Sequence, residues 1–274
     1  MLGVGSKLSR MKRTLALAIV LLFCLIHAFG QDWAKQALEK SPRHAEWVQI
    51  NHDNRTVSAF IVYPESKNKA PAVVVIHEIF GLSDWVRSVA DQLAAQGYIA
   101  IAPDLLSGMG PNGGGSSAFT SRDDTTKAIS GLDADQVTAD LNAVADYVKK
   151  LPASNGKLAV GGFCWGGTQT FRFATNRKDL RAAFVFYGAP PKDVTTITAP
   201  VYGFYGGNDA RIDATIPATQ DAMKQAGKKY DPVTYEGAGH GFMRAGEDPN
   251  DTNDANKKAR TEAWSRWLSL LKSI

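Results

Sequence analysis

The chain has 274 residues, of which 44% are hydrophobic and 21% are charged, and its 31 basic and 27 acidic residues leave a net charge of +4. This length supports one large hydrophobic core, so we expect one catalytic domain. The basic residues are spread along the chain without a block of lysine or arginine, which argues against a nucleic-acid-binding protein.

The first thirty residues have the pattern of a secretory signal peptide. Lys12 and Arg13 precede an apolar run over residues 15–26, and Ala28 and Gly30 place small residues at a cleavage site. The alternative is a membrane anchor, but this run is shorter than the ~20 apolar residues that span a bilayer. We therefore expect residues 1–30 to be a cleaved signal peptide, the protein to be periplasmic or secreted, and no stable membrane association after cleavage.

The mature chain, residues 31–274, begins with a segment that predicts no regular structure. Residues 31–43 are mostly polar and predict a mobile lead. The next two segments predict strands joined by a turn-rich tetrapeptide; they read AEWVQI, TVSAFIVYP and, between them, HDNR. These strands predict an antiparallel hairpin at the edge of a sheet.

Two apolar strands with a helix between them follow the hairpin. PAVVVIHE is apolar and rich in valine, as expected of a strand buried on both faces. Ser83 or Asp84 then caps a predicted helix that ends at Gly97. The strand YIAIAP comes next.

A segment rich in Gly and Ser follows this strand over residues 105–124. Loops of this length inside a compact domain are usually functional or disordered. The segment has no Gly-Lys-Ser/Thr sequence, so it predicts no nucleotide site.

The rest of the chain continues the alternation of helices and strands. Its predicted elements are a helix over 133–150, the strand KLAVGGF, a helix over 167–175, the strands AAFVFYG and VYGFYGG, a helix over 213–226, the strand DPVTYEG and a helix over 254–271. The alternation predicts an α/β fold, with a mostly parallel sheet covered by helices on both faces. In such sheets the chemistry lies on loops at the carboxyl ends of the strands.

A cysteine framed by glycines occupies one of these strand-to-helix loops. Cys164 lies between Gly162 and Gly166 in the pattern G-x-nucleophile-x-G, where small neighbours allow a strained turn. The N-terminus of the following helix favours a thiolate. The alternative is a buried structural cysteine. After signal cleavage Cys164 would be the only cysteine, so no intramolecular disulfide could protect it in an oxidising compartment. We interpret Cys164 as a nucleophile.

Two later strand ends supply the partners of a catalytic triad in the chain order nucleophile, acid, histidine. Asp209 follows the strand VYGFYGG, and His240 lies in the glycine-flanked loop after the last strand. Asp213 competes with Asp209 but is interpreted as a helix N-cap. We predict that His240 takes the thiol proton, that Asp209 fixes the tautomer of His240, and that Cys164 attacks a carbonyl carbon.

Acyl transfer also requires N–H donors directed at the developing oxyanion. The backbone N–H of Trp165, the residue after the nucleophile, is one candidate. The second is the backbone N–H of Ile79, in the loop after the strand PAVVVIHE.

Four segments of the chain resemble the dienelactone hydrolase family of α/β-hydrolases, also called carboxymethylenebutenolidases. They read VVVIHEIFGL, SNGKLAVGGFCWGG, GGNDARI and GAGHGFMR, and the resemblance extends over residues 57–274. It implies a Cys-His-Asp hydrolase that opens a dienelactone and needs no cofactor. No metal is expected either.

The resemblance also implies roles for three charged residues. Glu78, in H-E-x-F-G, would pair with the resting thiol and help to generate the thiolate when substrate binds; the alternative is a buried glutamate paired with a nearby arginine. Arg244, four residues after His240, would bind a substrate carboxylate, and Arg122 would be a second such arginine. The Gly/Ser-rich segment and the export signal depart from the family pattern, which leaves the native substrate open.

The leading hypothesis is a secreted hydrolase of a small lactone or carboxylic ester that works through an acyl-enzyme. One alternative is a broad carboxylesterase or acyl-peptide hydrolase on the same scaffold, since the fold does not fix the acyl group. The other is an inactive binding protein. A small-molecule substrate is the expected partner, and a monomer is favoured.

Overall fold

The computed structural model describes residues 31–274. The predicted signal peptide lies outside this range. Among the described residues, no helix is both long enough and apolar enough to cross a membrane.

The described residues form one eight-stranded sheet with the strand order β1-β2-β4-β3-β5-β6-β7-β8. The strands are β1 (Ala45–His52), β2 (Arg55–Val62), β3 (Ala70–Ile76), β4 (Ile99–Pro103), β5 (Ser154–Phe163), β6 (Ala182–Phe186), β7 (Val201–Gly206) and β8 (Tyr230–Tyr235). β2 pairs antiparallel with both β1 and β4, whereas every other pair is parallel. The predicted N-terminal hairpin and mostly parallel sheet are confirmed.

Helices cover both faces of the sheet. They are α1 (Asp32–Glu39), α2 (Asp84–Ala95), α3 (Arg122–Ser130), α4 (Ala134–Lys150), α5 (Trp165–Asn176), α6 (Ala210–Asp213), α7 (Ile216–Gln225), α8 (Phe242–Ala245) and α9 (Asp254–Leu271). Val73 and Val75 of β3 pack on the face covered by α1, α2 and α9, and Val74 and Ile76 pack on the face covered by α4, α5 and α7. Successive side chains of a strand point to opposite faces, which explains why a strand between two layers is apolar throughout.

Residues 31–43 are not the lead without regular structure that the sequence predicts, because α1 occupies most of them. Ala34 is fully buried, and Trp33 and Leu38 pack against the core beside it. These residues fall on one helical face and polar residues fall on the other, which is an amphipathic pattern that the mostly polar composition of the segment does not reveal.

The Gly/Ser-rich segment also holds more regular structure than predicted. Short 3-10 turns form at Pro111–Gly113 and Ser116–Ala118, and α3 begins at Arg122. Thr125 and Ile129 are the buried residues of α3, which is too weak a pattern to predict a helix.

The helix predicted over residues 213–226 begins three residues later, as α7, and the short helix α6 precedes it. Asp213 is the last residue of α6, so its interpretation as an N-cap is wrong, and Thr215 precedes α7. Pro217 lies in the first turn of α7, where a residue without an N–H is tolerated, and it cannot continue an earlier helix.

Candidate active site

Cys164 lies on a sharp turn between β5 and α5, at the carboxyl end of the sheet. Its backbone has φ 56° and ψ −118°, a conformation that costs a residue with a Cβ about 1–3 kcal/mol. The Cys164 N–H donates to the carbonyl of Phe186 over 3.0 Å, which ties the turn to the neighbouring strand β6. The thiol is half-buried beside the core.

The two glycines of the pattern are required by close backbone contacts. A Cβ at Gly162 would lie 2.4 Å from the carbonyl oxygen of Gly166. A Cβ at Gly166 would lie 2.3 Å from the carbonyl oxygen of His77, at the end of β3. The first turn of α5 therefore packs directly on the loop that leaves β3.

The structure brings His240 and Asp209 together with Cys164. Nδ1 of His240 is hydrogen-bonded to Oδ2 of Asp209, which is 7% exposed. Burial lowers the pKa of His240, but hydrogen bonds with Cys164 and Asp209 outweigh burial and raise the pKa to about 9. A raised pKa suits His240 to hold a proton taken from the Cys164 thiol at neutral pH and to pass it on to a leaving group.

The carboxylate hydrogen-bonded to His240 is that of Asp209 and not that of the competing Asp213. Burial and the nearby charge of Asp209 both raise the pKa of Asp213. Its Oδ1 atom has no hydrogen-bond partner within residues 31–274.

The two predicted oxyanion donors lie on facing segments. Trp165 is the first residue of α5, so its N–H has no acceptor within the helix. Ile79 lies in the loop after β3, and this loop packs against the first turn of α5. Neither N–H donates to another group of the described chain.

Glu78 is paired with Arg244 and not with the thiol. Nε of Arg244 donates to Oε2 of Glu78 over 2.8 Å, and the Glu78 side chain is only 4% exposed. Burial raises the pKa of Glu78 above its ordinary value, although Arg244, His240 and Arg122 act in the opposite direction. This is the alternative arrangement that the sequence left open.

Both predicted substrate-binding arginines lie beside Phe80, which follows Glu78 and Ile79 in the chain. The guanidinium carbon of Arg122 is 4.2 Å from the Phe80 ring centroid, and that of Arg244 is 5.6 Å from it. α3 supplies Arg122 and α8 supplies Arg244. Two cations and one aromatic ring therefore share a surface next to Glu78.

The Gly/Ser-rich segment is tied to the same loop through Ser116. Asp104 accepts from the N–H of Ser116 over 2.7 Å and from its Oγ over 2.6 Å, and Ser116 Oγ accepts from the Leu82 N–H over 3.0 Å. Residues of this segment, of α3 and of the start of α4 line a cavity of about 910 Å³, and none of the candidate catalytic residues lines it.

Two further residues near the candidate triad were not predicted. His77 is fully buried at the end of β3, and Tyr187 is fully buried at the end of β6. The Tyr187 ring packs edge-on against His240 at 5.0 Å, its φ is 40°, and its hydroxyl has no partner in the described part of the chain. Their positions at strand ends were the only signal in the sequence.

Comparison with known proteins decides the family. The model of the dienelactone hydrolase family matches residues 57–274. The chain belongs to this family.

Relatives within the dienelactone hydrolase family cover most of the chain. A "Putative carboxymethylenebutenolidase" of Salmonella typhimurium is 36% identical over 203 residues, which is 67% of this chain and 72% of the relative. A protein of the same name from Escherichia coli is 34% identical over 217 residues, covering 72% of this chain and 77% of the relative.

A solved structure supports the same assignment. The crystal structure of a "Putative Dienelactone Hydrolase" from Klebsiella pneumoniae matches with a TM-score of 0.74 and 26% identity, covering 85% of this chain and 99% of that chain. The family and the α/β-hydrolase fold together support a hydrolase.

Proposed function

We propose that this protein hydrolyses a small lactone or carboxylic ester through an acyl-enzyme on Cys164. The observation that carries the proposal is the placement of His240 between the Cys164 thiol and the Asp209 carboxylate. A nucleophile, a base and a group that orients the base are the parts that acyl transfer requires.

The reaction would proceed in two halves. His240 takes the thiol proton, and the sulfur forms a bond to the carbonyl carbon, whose oxygen accepts hydrogen bonds from the N–H groups of Trp165 and Ile79. The carbon–oxygen bond to the leaving group then breaks, and the leaving oxygen takes the proton from His240. Water adds to the thioester with His240 as base, which releases the acid and restores the thiol. In a lactone the leaving oxygen stays attached to the acyl chain.

The charges around Phe80 favour a substrate that carries a carboxylate. Arg244 uses Nε for Glu78, and its two Nη groups have no hydrogen-bond partner among residues 31–274. A guanidinium with free N–H groups suits a planar carboxylate. An anion at Arg244 would compete with Glu78, whose carboxylate would then be free to accept a proton, as its raised pKa favours.

Selectivity between two substrates tests this proposal. The mature protein is assayed on a lactone that bears a carboxylate and on a neutral ester of similar size. We expect Arg244→Ala to cost roughly 2–4 kcal/mol in kcat/KM on the anionic lactone, the loss of a partly desolvated charged hydrogen bond, and far less on the neutral ester.

The ratio of the two activities is the internal control, because partial unfolding would lower both equally. Glu78→Gln should lower turnover of the anionic lactone, because a glutamine released from Arg244 cannot take up a proton as the carboxylate can. Equal losses on both substrates in Arg244→Ala would remove the carboxylate specificity and favour a general esterase.

A further inference from the structure

His77 occupies a position between the two segments that carry the candidate oxyanion donors. It directly follows β3 and precedes Glu78 and Ile79. Its ring is fully buried and stacks on the indole of Trp165, with the ring centroids 5.5 Å apart and the planes inclined by 13°. One side chain thus contacts the loop of one donor and the residue that bears the other.

The hydrogen bonds of His77 fix its tautomer. The N–H of Leu105 donates to Nε2 over 3.3 Å, so Nε2 is the acceptor and the ring proton lies on Nδ1. Nδ1 then donates to the carbonyl oxygen of Glu78 over 2.8 Å. Burial lowers the pKa of His77, against the opposing charge of Asp104 and the backbone carbonyls, which keeps the ring neutral.

The bond to the Glu78 carbonyl has a geometric consequence for Ile79. The Glu78 carbonyl and the Ile79 N–H belong to one planar trans peptide unit, so they point in opposite directions. The same carbonyl accepts a second hydrogen bond from the Gly81 N–H over 3.2 Å. Fixing the carbonyl from two sides fixes the direction of the Ile79 N–H on the other edge of the peptide.

We propose that His77 is a positioning residue for the oxyanion hole. Its Nδ1–H holds the peptide between Glu78 and Ile79 so that the Ile79 N–H faces the carbonyl under attack, and its ring packs Trp165 against the same loop. This role rests on the proposed acyl transfer at Cys164. The imidazole would act through the peptide between Glu78 and Ile79.

Two polar variants separate positioning from structural support. The amide nitrogen of an asparagine falls near Nδ1 of a histidine, so His77→Asn can still donate to the Glu78 carbonyl. The amide of a glutamine falls near Nε2, so His77→Gln can still accept from Leu105 but cannot hold the peptide. Both variants keep a hydrogen-bonding group in the buried site, which supports folding.

Two reactions of Cys164 provide the readouts. Acylation by p-nitrophenyl acetate, followed as the burst of p-nitrophenol, develops an oxyanion. Alkylation by iodoacetamide needs the thiolate but develops no oxyanion. Removing an oxyanion donor costs about 10²–10³ in rate, so a misdirected donor should slow acylation by about 10–100-fold.

We expect His77→Asn to acylate within about threefold of wild type and His77→Gln to acylate at least about tenfold more slowly, with equal alkylation rates in all three proteins. Equal acylation by the two variants would overturn the proposal. A fall in alkylation as large as the fall in acylation would also overturn it, because the effect would then lie in the thiol. Wild-type protein that is alkylated but never acylated would instead refute the proposed function.

Discussion

The buried pair of Glu78 and Arg244 makes stability depend on pH in a predictable direction. Arg244→Met removes the cation and leaves a carboxylate that is 4% exposed without its ion partner. Breaking a buried ion pair costs about 3–5 kcal/mol, and the Arg244 side chain is 27% exposed, so we expect about 3 kcal/mol at neutral to alkaline pH.

The pH dependence follows from the pKa of Glu78. Burial already raises that pKa, and Arg244 opposes the rise, so its removal raises the pKa further. A group whose pKa is raised by folding loses stabilisation as the pH increases through its folded value. The deficit of Arg244→Met should therefore be larger at pH 8 than at pH 5, because lowering the pH moves Glu78 towards its neutral form.

Urea unfolding of the mature chain at these two pH values measures the effect. The double variant Glu78→Gln/Arg244→Met carries no buried charge at this site and should recover to within about 1 kcal/mol of wild type. Lys258→Met is the matched control, because it removes a cation from an exposed pair with Glu262 and should change stability by less than about 0.5 kcal/mol. A deficit that is the same at both pH values, or no recovery in the double variant, would contradict this reasoning.

Three further predictions concern the turn, the base and the N-terminus. Gly166→Ala should destabilise the protein by about 2–3 kcal/mol in urea unfolding, because its Cβ would lie 2.3 Å from the His77 carbonyl oxygen. Gly131→Ala is the control and should cost far less, because its Cβ would lie 3.4 Å from the Lys127 carbonyl oxygen. Equal costs would refute the close-contact explanation. The rate of acylation should fall as the pH increases through about 9, where the His240 imidazolium loses its proton, and Asp209→Asn should move this limb to lower pH because Asp209 raises the pKa of His240. If Asp209→Asn left the pH dependence of acylation unchanged, Asp209 would not be the group that raises the pKa of His240. We also propose that the protein is exported, so N-terminal sequencing of protein from the periplasm or medium should give a chain that begins near Gln31; recovery of only full-length cytoplasmic protein would count against export.

The sequence predicted well those elements whose apolar residues mark the faces that pack against the rest of the fold. β3 is apolar throughout because both of its faces are covered, and the helix predicted over residues 254–271 coincides with α9. α3 buries only Thr125 and Ile129, so the periodicity that would predict it is weak, whereas α1 is amphipathic but short and mostly polar. Pro217, inside the helix predicted over residues 213–226, was the available sign that this helix starts after Asp213, because proline is favoured in the first turn of a helix.

In the candidate site, the sequence could indicate those residues that directly follow a predicted strand. Cys164, Asp209 and His240 each follow a strand of the parallel sheet, and the carboxyl ends of such strands meet at one edge. The partner of Glu78 could not be predicted from the residues, because Arg244 lies 166 positions away and only the packing of α8 brings it to β3. The bond of His77 to the next residue's carbonyl leaves no mark in the sequence either.

The covalent state of Cys164 during turnover tests the proposed function most directly. The wild-type protein is mixed with p-nitrophenyl acetate, quenched in acid within the burst and digested, and the peptides are weighed by mass spectrometry. The proposal predicts an acetyl group on Cys164 in an amount equal to the burst. It also predicts that Cys164→Ala loses nearly all hydrolysis, since members of a triad act as a unit worth about 10³ or more in rate. Hydrolysis by Cys164→Ala within about tenfold of wild type, or a burst without acetyl on Cys164, would contradict it.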